Sequence, residues 1–458
     1  MTPEPSFLNP SFAGLIGVAQ EEINPPMGIY ARNWGAAKKD IASGIHRSLT
    51  LTCFTFQSAA DEQPLILIGA DLGWWKNSEY EVRLRNRLLE ALSLDTSRLM
   101  FCLSHTHAGP GICPDDSDKQ GGALIEGYLK SVEDIALVAI NKALGKAVSA
   151  ILSCDYGKCT LAVNRDLPEP QGSRIVIGFN PAKCADDTLL VGRITDTANH
   201  NIIGVLVNYA CHPTTLAWEN ELISPDYIGA MRELVEALTD APCLFVQGAS
   251  GDLSGREQFS GDTALADRYG RQLGFSVLAT LEGMLTPGCL LAYNGVIESG
   301  ASLGMWKEKP FEPSSVVNSV TELLNLELKD FPKLNEIEAE LDICRDRVLK
   351  ERLWRKRCIR KAIGDGETAK VPVWIWTLGN VVLVGQPNEP YSDFQIDVRK
   401  AFPDHAIVVG NLVNGSIGYL PPTHLYKEDA YPVWQTPFAA GGLDHLTRIT
   451  VELIKNMT

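Results

Sequence analysis

Polar, reactive residues gather where short apolar runs stop. RLMFCL (98–103) leads into SHTHAGPG (104–111), and IIGVLVNYA (202–210) leads into CHPTT (211–215). PCLFVQ (242–247) leads into GASGDLSGR (248–256), and VVLVG (381–385) into QPNEP (386–390). Ligands of open α/β sheets bind beyond the carboxyl ends of the strands, so four loops far apart in sequence can build one site. His105 and His107 are two residues apart, and on an extended backbone the period of two sends both to one face. His212 directly follows a buried run and precedes Pro213; Glu389 lies in a turn between Asn388 and Pro390. Two imidazoles and a carboxylate on rigid strand ends match a catalytic zinc site, which uses three protein ligands and keeps a position open for water. Singly, each residue also reads as a half-exposed imidazole, a turn-forming CHP segment or a solvated loop acid. Their shared position at strand ends favours the metal.

Ser254 lies in the third of these segments, GASGDLSGR, where Gly248, Gly251 and Gly255 suggest a tight turn whose backbone N–H groups cradle an anion or oxyanion. The pattern GDLSG is not a nucleophile elbow, and no phosphate-binding loop of the form GxxxxGK[ST] occurs.

The elements that must hold these residues are legible as well. The runs at 64–70, 98–103, 202–210, 242–247, 381–385 and 405–413 are short and rich in Val, Ile, Leu and Phe, as strands buried on both faces are. Leu129, Val132, Ala136, Ile140 and Ala143 recur at helical spacing, as do Tyr227, Ala230, Leu234 and Leu238. Ser224, Pro225 and Asp226 form a start signal for the second helix, with Ser224 as the cap. Strands alternating with helices predict an α/β fold, a mixed sheet core flanked by helices. Residues 1–458 read as one catalytic domain with a charged helical insertion at about 314–366, where Leu334, Ile337, Leu341, Cys344 and Val348 keep a heptad-like spacing before a strongly basic run. A long surface helix with a solvated face is expected there; a partner-binding or substrate-gating arm is the alternative.

The chain has 458 residues, 45% hydrophobic and 21% charged, enough apolar material for a large core. A formal net charge of −15 argues against nucleic acid, whose phosphates need a basic surface. No run approaches the ~20 apolar residues that span a bilayer, so no integral membrane segment is predicted, and the N-terminus lacks the features of a signal peptide. Of the eleven cysteines, Cys53, Cys102, Cys211 and Cys243 sit in apolar runs and no CxxC pair occurs, which predicts a reducing compartment, the cytoplasm.

Taken together, SHTHAGPG, NYACHPTT, SPDYIG and QGASGDLSGR resemble the neutral ceramidase family in order and spacing. GLIGVAQEEINPPMGIYARNWG, GIHRSL and ILIGADLG resemble the start of its catalytic domain. The resemblance runs over roughly residues 13–255 and 370–430. It implies a zinc amidase with His105, His212, Glu389 and Tyr419 as metal ligands and Ser254 as the proposed catalytic serine. It also implies a role for Arg165, in VNRDLP, and leaves His107 to contact the reacting groups; Tyr426 is the further candidate in the segment after Tyr419. Gly255 stands where the family has Pro, and Asn388 where it has Gly. The immunoglobulin-like domain that follows the catalytic domain in that family has no counterpart before Thr458, so a soluble intracellular amide is expected rather than ceramide.

The expected function is zinc-assisted hydrolysis of an amide, with water or Ser254 attacking the carbonyl. Arg165, His107 and Tyr426 are candidates to stabilise the oxyanion or protonate the leaving amine. An N-acyl lipid amidase, an acyltransferase or esterase on the same site, and a metal-binding scaffold without turnover are the alternatives. The expected partner is a small-molecule amide.

Overall fold

Alternation within single strands explains how the layers stack. In LILIGA, Leu65 and Leu67 enter one apolar cluster, whereas Ile66 and Ile68 enter another on the opposite face. The computed structural model describes residues 5–458, and most of its long strands show the same two-sided burial.

Eight strands form the larger sheet: β1 (Ser11–Glu22), β2 (Thr50–Gln57), β3 (Leu65–Ala70), β4 (Leu99–Leu103), β5 (Val148–Lys158), β6 (Thr188–Asp196), β7 (Ile202–Tyr209) and β8 (Cys243–Gln247). Their spatial order is β8-β7-β6-β5-β1-β2-β3-β4. The outer pairs β7–β8 and β3–β4 are parallel, and the neighbours between them are antiparallel. A second sheet runs β9 (Val317–Glu327), β10 (Thr368–Leu378), β11 (Val381–Gly385) and β12 (Ala406–Gly410), with β11 and β12 parallel. The sheet is therefore mixed, as expected. The long antiparallel strands β1, β2, β5 and β6 at its centre are additions to the predicted set.

The helices are α1 (Ser78–Leu92), α2 (Ile125–Gly145), α3 (Tyr227–Thr239), α4 (Thr263–Gly283), α5 (Leu334–Ile343), α6 (Arg347–Ile363), α7 (Asp393–Ala401), the short α8 (Tyr431–Gln435) and α9 (Gly442–Lys455). The two sheets face each other across Phe12, Phe54, Phe56, Leu67, Trp374 and Trp376. On the outer face of the larger sheet, α1 and α2 pack at one end and α3 and α4 at the other. Helices α7 and α9 cover the outer face of the second sheet. The result is four layers, helix–sheet–sheet–helix, with β2, β3, β4, β7, β8, β11 and β12 buried on both faces, which is why they read as continuous apolar runs. Truncating one fully buried Trp of the middle layer would cost about 3–5 kcal/mol. Among the described residues, no helix is long and apolar enough to cross a membrane.

Two local expectations change. Helix α3 is capped by Asp226 rather than Ser224: Asp226 takes a left-handed φ of 57° and accepts the N–H groups of Tyr227 and Leu216 at 2.7 and 2.9 Å. Ser224 Oγ instead accepts from the Asp226 N–H at 3.0 Å, so Pro225 precedes the helix. The charged segment at 314–366 is helical only from Leu334, because its first part is β9, paired along its whole length with β10. Nor is α6 a solvated face. Leu353 and Ile359 are buried, and Trp354, Arg355 and Cys358 reach the site described next.

Candidate metal centre

The loops after β4, β7, β8 and β11 do converge. β4 ends at Leu103, and His105 follows with a left-handed φ of 67°, a conformation that is costly for a residue with a Cβ and concentrates at functional sites. The segment is thus not extended at His105, and the period-two reading of the His pair gives way. Instead the two rings meet edge to face, with centroids 4.8 Å apart. His212 is placed by the end of β7 and by a backbone bridge to Ser254. Glu389 and Tyr419 lie beside each other on two short parallel strands beyond β11 and β12. Asn414, in the loop between β12 and Tyr419, locks that loop to the larger sheet. Its carboxamide accepts the Phe101 N–H and donates to the Leu99 carbonyl, both at 2.8 Å.

Four donor atoms cluster. His105 Nε2 is 3.1 Å from His212 Nε2. Glu389 Oε2 is 3.3 Å from the first and 3.0 Å from the second. The Tyr419 hydroxyl is 3.3 Å from His212 Nε2. Both imidazoles are oriented by their other nitrogen: Nδ1 of His105 faces the Gly73 carbonyl at 3.3 Å, and Nδ1 of His212 faces that of Ser250 at 2.6 Å. An Nδ1–H donated to a carbonyl leaves the Nε2 lone pair free, so two lone pairs and a carboxylate oxygen confront one another. Such an arrangement repels itself unless a cation or a proton lies between the groups. Burial, with the Arg165 charge, pushes His212 down to about 3, against the proton. Glu389 is also buried, which opposes ionisation, but its two imidazole partners hold the carboxyl well below the usual range. Zinc bonds of about 2.0–2.1 Å in a tetrahedron would set ligand atoms about 3.3–3.4 Å apart, close to the separations observed. The residues present fit a metal ion.

His107 belongs to the same cluster of imidazoles: the ligand atoms of His105, His107 and His212 lie within 4.8 Å of one another. Its environment differs. The ring sits between Trp34 and Trp74, centroids 5.1 and 4.8 Å away, and neither nitrogen has a hydrogen-bond partner. Burial, followed by the neighbouring imidazoles and Arg355, keeps it well below its ordinary value and therefore neutral.

Arg165 and Ser254 lie close by in different ways. Arg165 donates through Nε and Nη2 to the Gly251 carbonyl and through Nη2 to the Tyr419 hydroxyl at 3.1 Å, so it positions Tyr419. Burial, with the Glu389 charge, raises the Tyr419 phenol well above its ordinary value. Ser254 is fully buried in a short strand; its Oγ finds only the Gly255 carbonyl, at 3.5 Å, and lines neither cavity of the site. Three N–H groups of the glycine-rich loop are already taken and not free to cradle an anion. Those of Gly248, Ala249 and Gly251 reach the Tyr209 carbonyl, Gln395 Oε1 and the Pro390 carbonyl. A Cβ on Gly251 would press to within 2.9 Å of the Pro390 carbonyl. Tyr426 is not brought to the site: its hydroxyl lies 3.1 Å from the carbonyls of Phe438 and Ala439.

Several residues absent from the sequence reading complete the centre. Tyr431 packs against Tyr419, centroids 5.8 Å apart, and accepts from Arg355 Nη1 at 3.1 Å. Arg355 also bonds the Asn33 carbonyl and Glu351, tying α6 across the site. Asp252 accepts the Ser392 N–H and hydroxyl at 2.7 and 2.9 Å, fastening the Glu389 loop to the Arg165 loop; burial raises its carboxyl to about 6. The signal for Arg355 is the basic run of α6, which spacing alone assigned to a solvated face. A chamber of about 40 Å³ lies against His105, Glu389 and Tyr419 of the donor cluster, also lined by Trp354, Arg355, Ile359 and Tyr431. His107 also lines a second cavity of about 440 Å³.

The four-layer architecture with its metal-fitting centre is the neutral ceramidase fold. The neutral ceramidase of Pseudomonas aeruginosa superposes with a TM-score of 0.69 at 16% identity, covering 97% of this chain and 74% of that one. A ceramidase complexed with C2 gives 0.68 at 16% identity, with the same coverage. No family model and no curated protein matches the sequence.

Proposed function

We propose that the protein is a zinc-dependent hydrolase of amide bonds. The observation that carries the reading is the convergence of His105, His212, Glu389 and Tyr419 at 3.0–3.3 Å, on a fold shared with ceramidases. A zinc ion held there would supply Lewis acidity to the scissile carbonyl and activate water. His107, neutral and unpaired between the two cavities, takes the proton of the attacking water and returns it to the leaving amine as the C–N bond breaks. Arg165 fixes the Tyr419 hydroxyl against His212, and Glu389 carries the negative charge of the donor set. Because the Ser254 hydroxyl is buried off both cavity walls, water is the nucleophile in this reading.

A polar amide fits the site better than a ceramide with its two alkyl chains. The chamber is small, and the larger cavity carries the charged Arg32, Lys38, Lys39, Asp40, Glu219 and Glu221 among apolar residues such as Trp34, Ile41 and Trp218. The burial of Cys53, Cys102, Cys211 and Cys243 as small apolar side chains supports a reducing compartment such as the cytoplasm.

The test is hydrolysis by zinc-loaded protein of soluble N-acyl amides, of ceramide in mixed micelles and of matched esters. Amide cleavage should disappear on chelation and return with zinc. A loaded site that cleaves no amide or ester would leave a metal-binding scaffold instead. An acyl burst that Ser254→Ala abolishes would move the nucleophile from water to Ser254.

A further inference from the structure

The chain is strongly acidic, with a formal net charge of −15, yet the side chains that charge the wall of the metal chamber are mostly cationic. They are Lys76, Arg355 and Glu389, and Glu389 is committed to the two imidazoles. Trp74 lies against His105 and His107, with centroids 5.6 and 4.8 Å away. The same indole carries both cations: Lys76 Nζ is 4.8 Å and the Arg355 guanidinium 5.3 Å from the ring centroid. The cations therefore stand one aromatic ring away from the metal ligands.

Neither cation is fully used. Lys76 is buried, and its ammonium has three N–H donors but makes a single hydrogen bond, to Asn33 Oδ1 at 3.2 Å. Arg355, its side chain 19% exposed, has five N–H donors. It spends one each on Glu351, the Tyr431 hydroxyl and the Asn33 carbonyl, so two remain. Glu351 and the buried Asp116 balance part of this charge, and neither is on the chamber wall. A buried ammonium with spare donors beside a preset guanidinium is the equipment for holding a carboxylate. The unpaired ring nitrogens of His107, aimed into the same space, are a second sign that a polar ligand completes it.

We infer that the site selects amides bearing a carboxylate close to the scissile bond, such as N-acyl amino acids, and that Lys76 and Arg355 anchor that carboxylate beside Trp74. The inference rests on the amide-hydrolase reading. Lys76 and Arg355 are specificity residues in it, acting on binding and orientation, while bond breaking belongs to the metal centre and His107. A carboxylate on the amine portion lies two bonds from the amide nitrogen, a compact arrangement suited to a chamber of about 40 Å³.

The experiment compares N-acetylglycine and N-hexanoylglycine with the matching glycinamides on zinc-loaded protein, by kcat/KM and by calorimetric binding. Hydrogen bonds to a charged group should favour the acids by about tenfold or more. Lys76→Gln should bring the acid-to-amide ratio down towards one. Arg355→Lys, which keeps the charge but loses the fork, should lower it in part; circular dichroism checks that α6 stays docked. Equal values for acid and amide in the wild type would overturn the inference while leaving amide hydrolysis standing. So would a ratio that neither Lys76→Gln nor Arg355→Lys changes, because the preference would then come from the metal alone. Tighter calorimetric binding of the acids without cleavage of either partner would support the anion site and refute the hydrolase reading. Neither cleavage nor preferential binding would refute both.

Discussion

The two histidines of SHTHAGPG should fail differently when removed. His105 Nε2 is one of the donors standing 3.0–3.3 Å apart, and its Nδ1 is aimed at the Gly73 carbonyl. The His107 ring has no hydrogen-bond partner and packs against Trp34, Trp74 and the edge of His105. Outer partners of metal ligands are worth about 10–100-fold in affinity, so loss of a direct ligand should cost at least about a hundredfold, or ~2.7 kcal/mol. His105→Ala should therefore lose zinc on dialysis against a competing chelator, and activity with it. His107→Ala should keep about one zinc per chain, within about tenfold of wild-type affinity, and lose about 10²–10⁴ in kcat if it serves as the general base. Emptying the slot between two indoles should cost roughly 1–3 kcal/mol of stability, a minor part of a typical total of about 5–15 kcal/mol, so the variant should fold. Elemental analysis, chelator competition and single-turnover rates on both variants decide the matter. An empty His107→Ala beside a loaded His105→Ala would reverse the assignment, and two loaded variants would place the metal elsewhere.

Arg232, on α3, holds Asp71 at the end of β3 through two 2.7 Å bonds, with both groups buried. Arg232→Met or Asp71→Asn alone should cost about 3–5 kcal/mol in urea unfolding, and the double variant clearly less than the sum; additive losses would show the pair uncoupled. Acid should also separate the metal-free wild type from His107→Gln. Burial holds this imidazole well below 6.5, so the unfolded chain takes its proton as pH falls through 6.5 and the folded chain does not. Its contribution is present above pH 6.5 and is lost below it, by up to about 1.4 kcal/mol per pH unit. The wild type should thus lose stability with the steeper slope, and equal slopes in unfolding titrations would refute this.

What the sequence exposes is set by periodicity and by strand ends. The predicted strands at 64–70, 98–103, 202–210, 242–247, 381–385 and 405–413 are present within a few residues, because both faces are buried and composition alone marks them. The gathering of His105, His212 and Glu389 follows from strand ends pointing to one edge. The left-handed turn at His105 carries no such mark, since nothing in SHTHAGPG distinguishes it from an extended segment. Arg355 was hidden for a related reason. A basic helix reads as solvated, and only the docking of α6 onto Asn33, Trp74 and Tyr431 makes its guanidinium part of the centre. Tyr426 and Tyr431 are five residues apart in a loop-rich segment, where spacing gives no means of choosing between them.

The donor cluster draws His105 and His212 from the larger sheet and Glu389 and Tyr419 from the second. His212 is separated along the chain by 107 residues from His105, 177 from Glu389 and 207 from Tyr419. During synthesis the first two imidazoles leave the ribosome long before the carboxylate and the phenol that complete the set. If zinc occupies the site as proposed, its tight capture would be a checkpoint on the end of assembly. A chain in which the sheets have not docked has only half a grip, and release of bound metal would report their separation well before either sheet has melted.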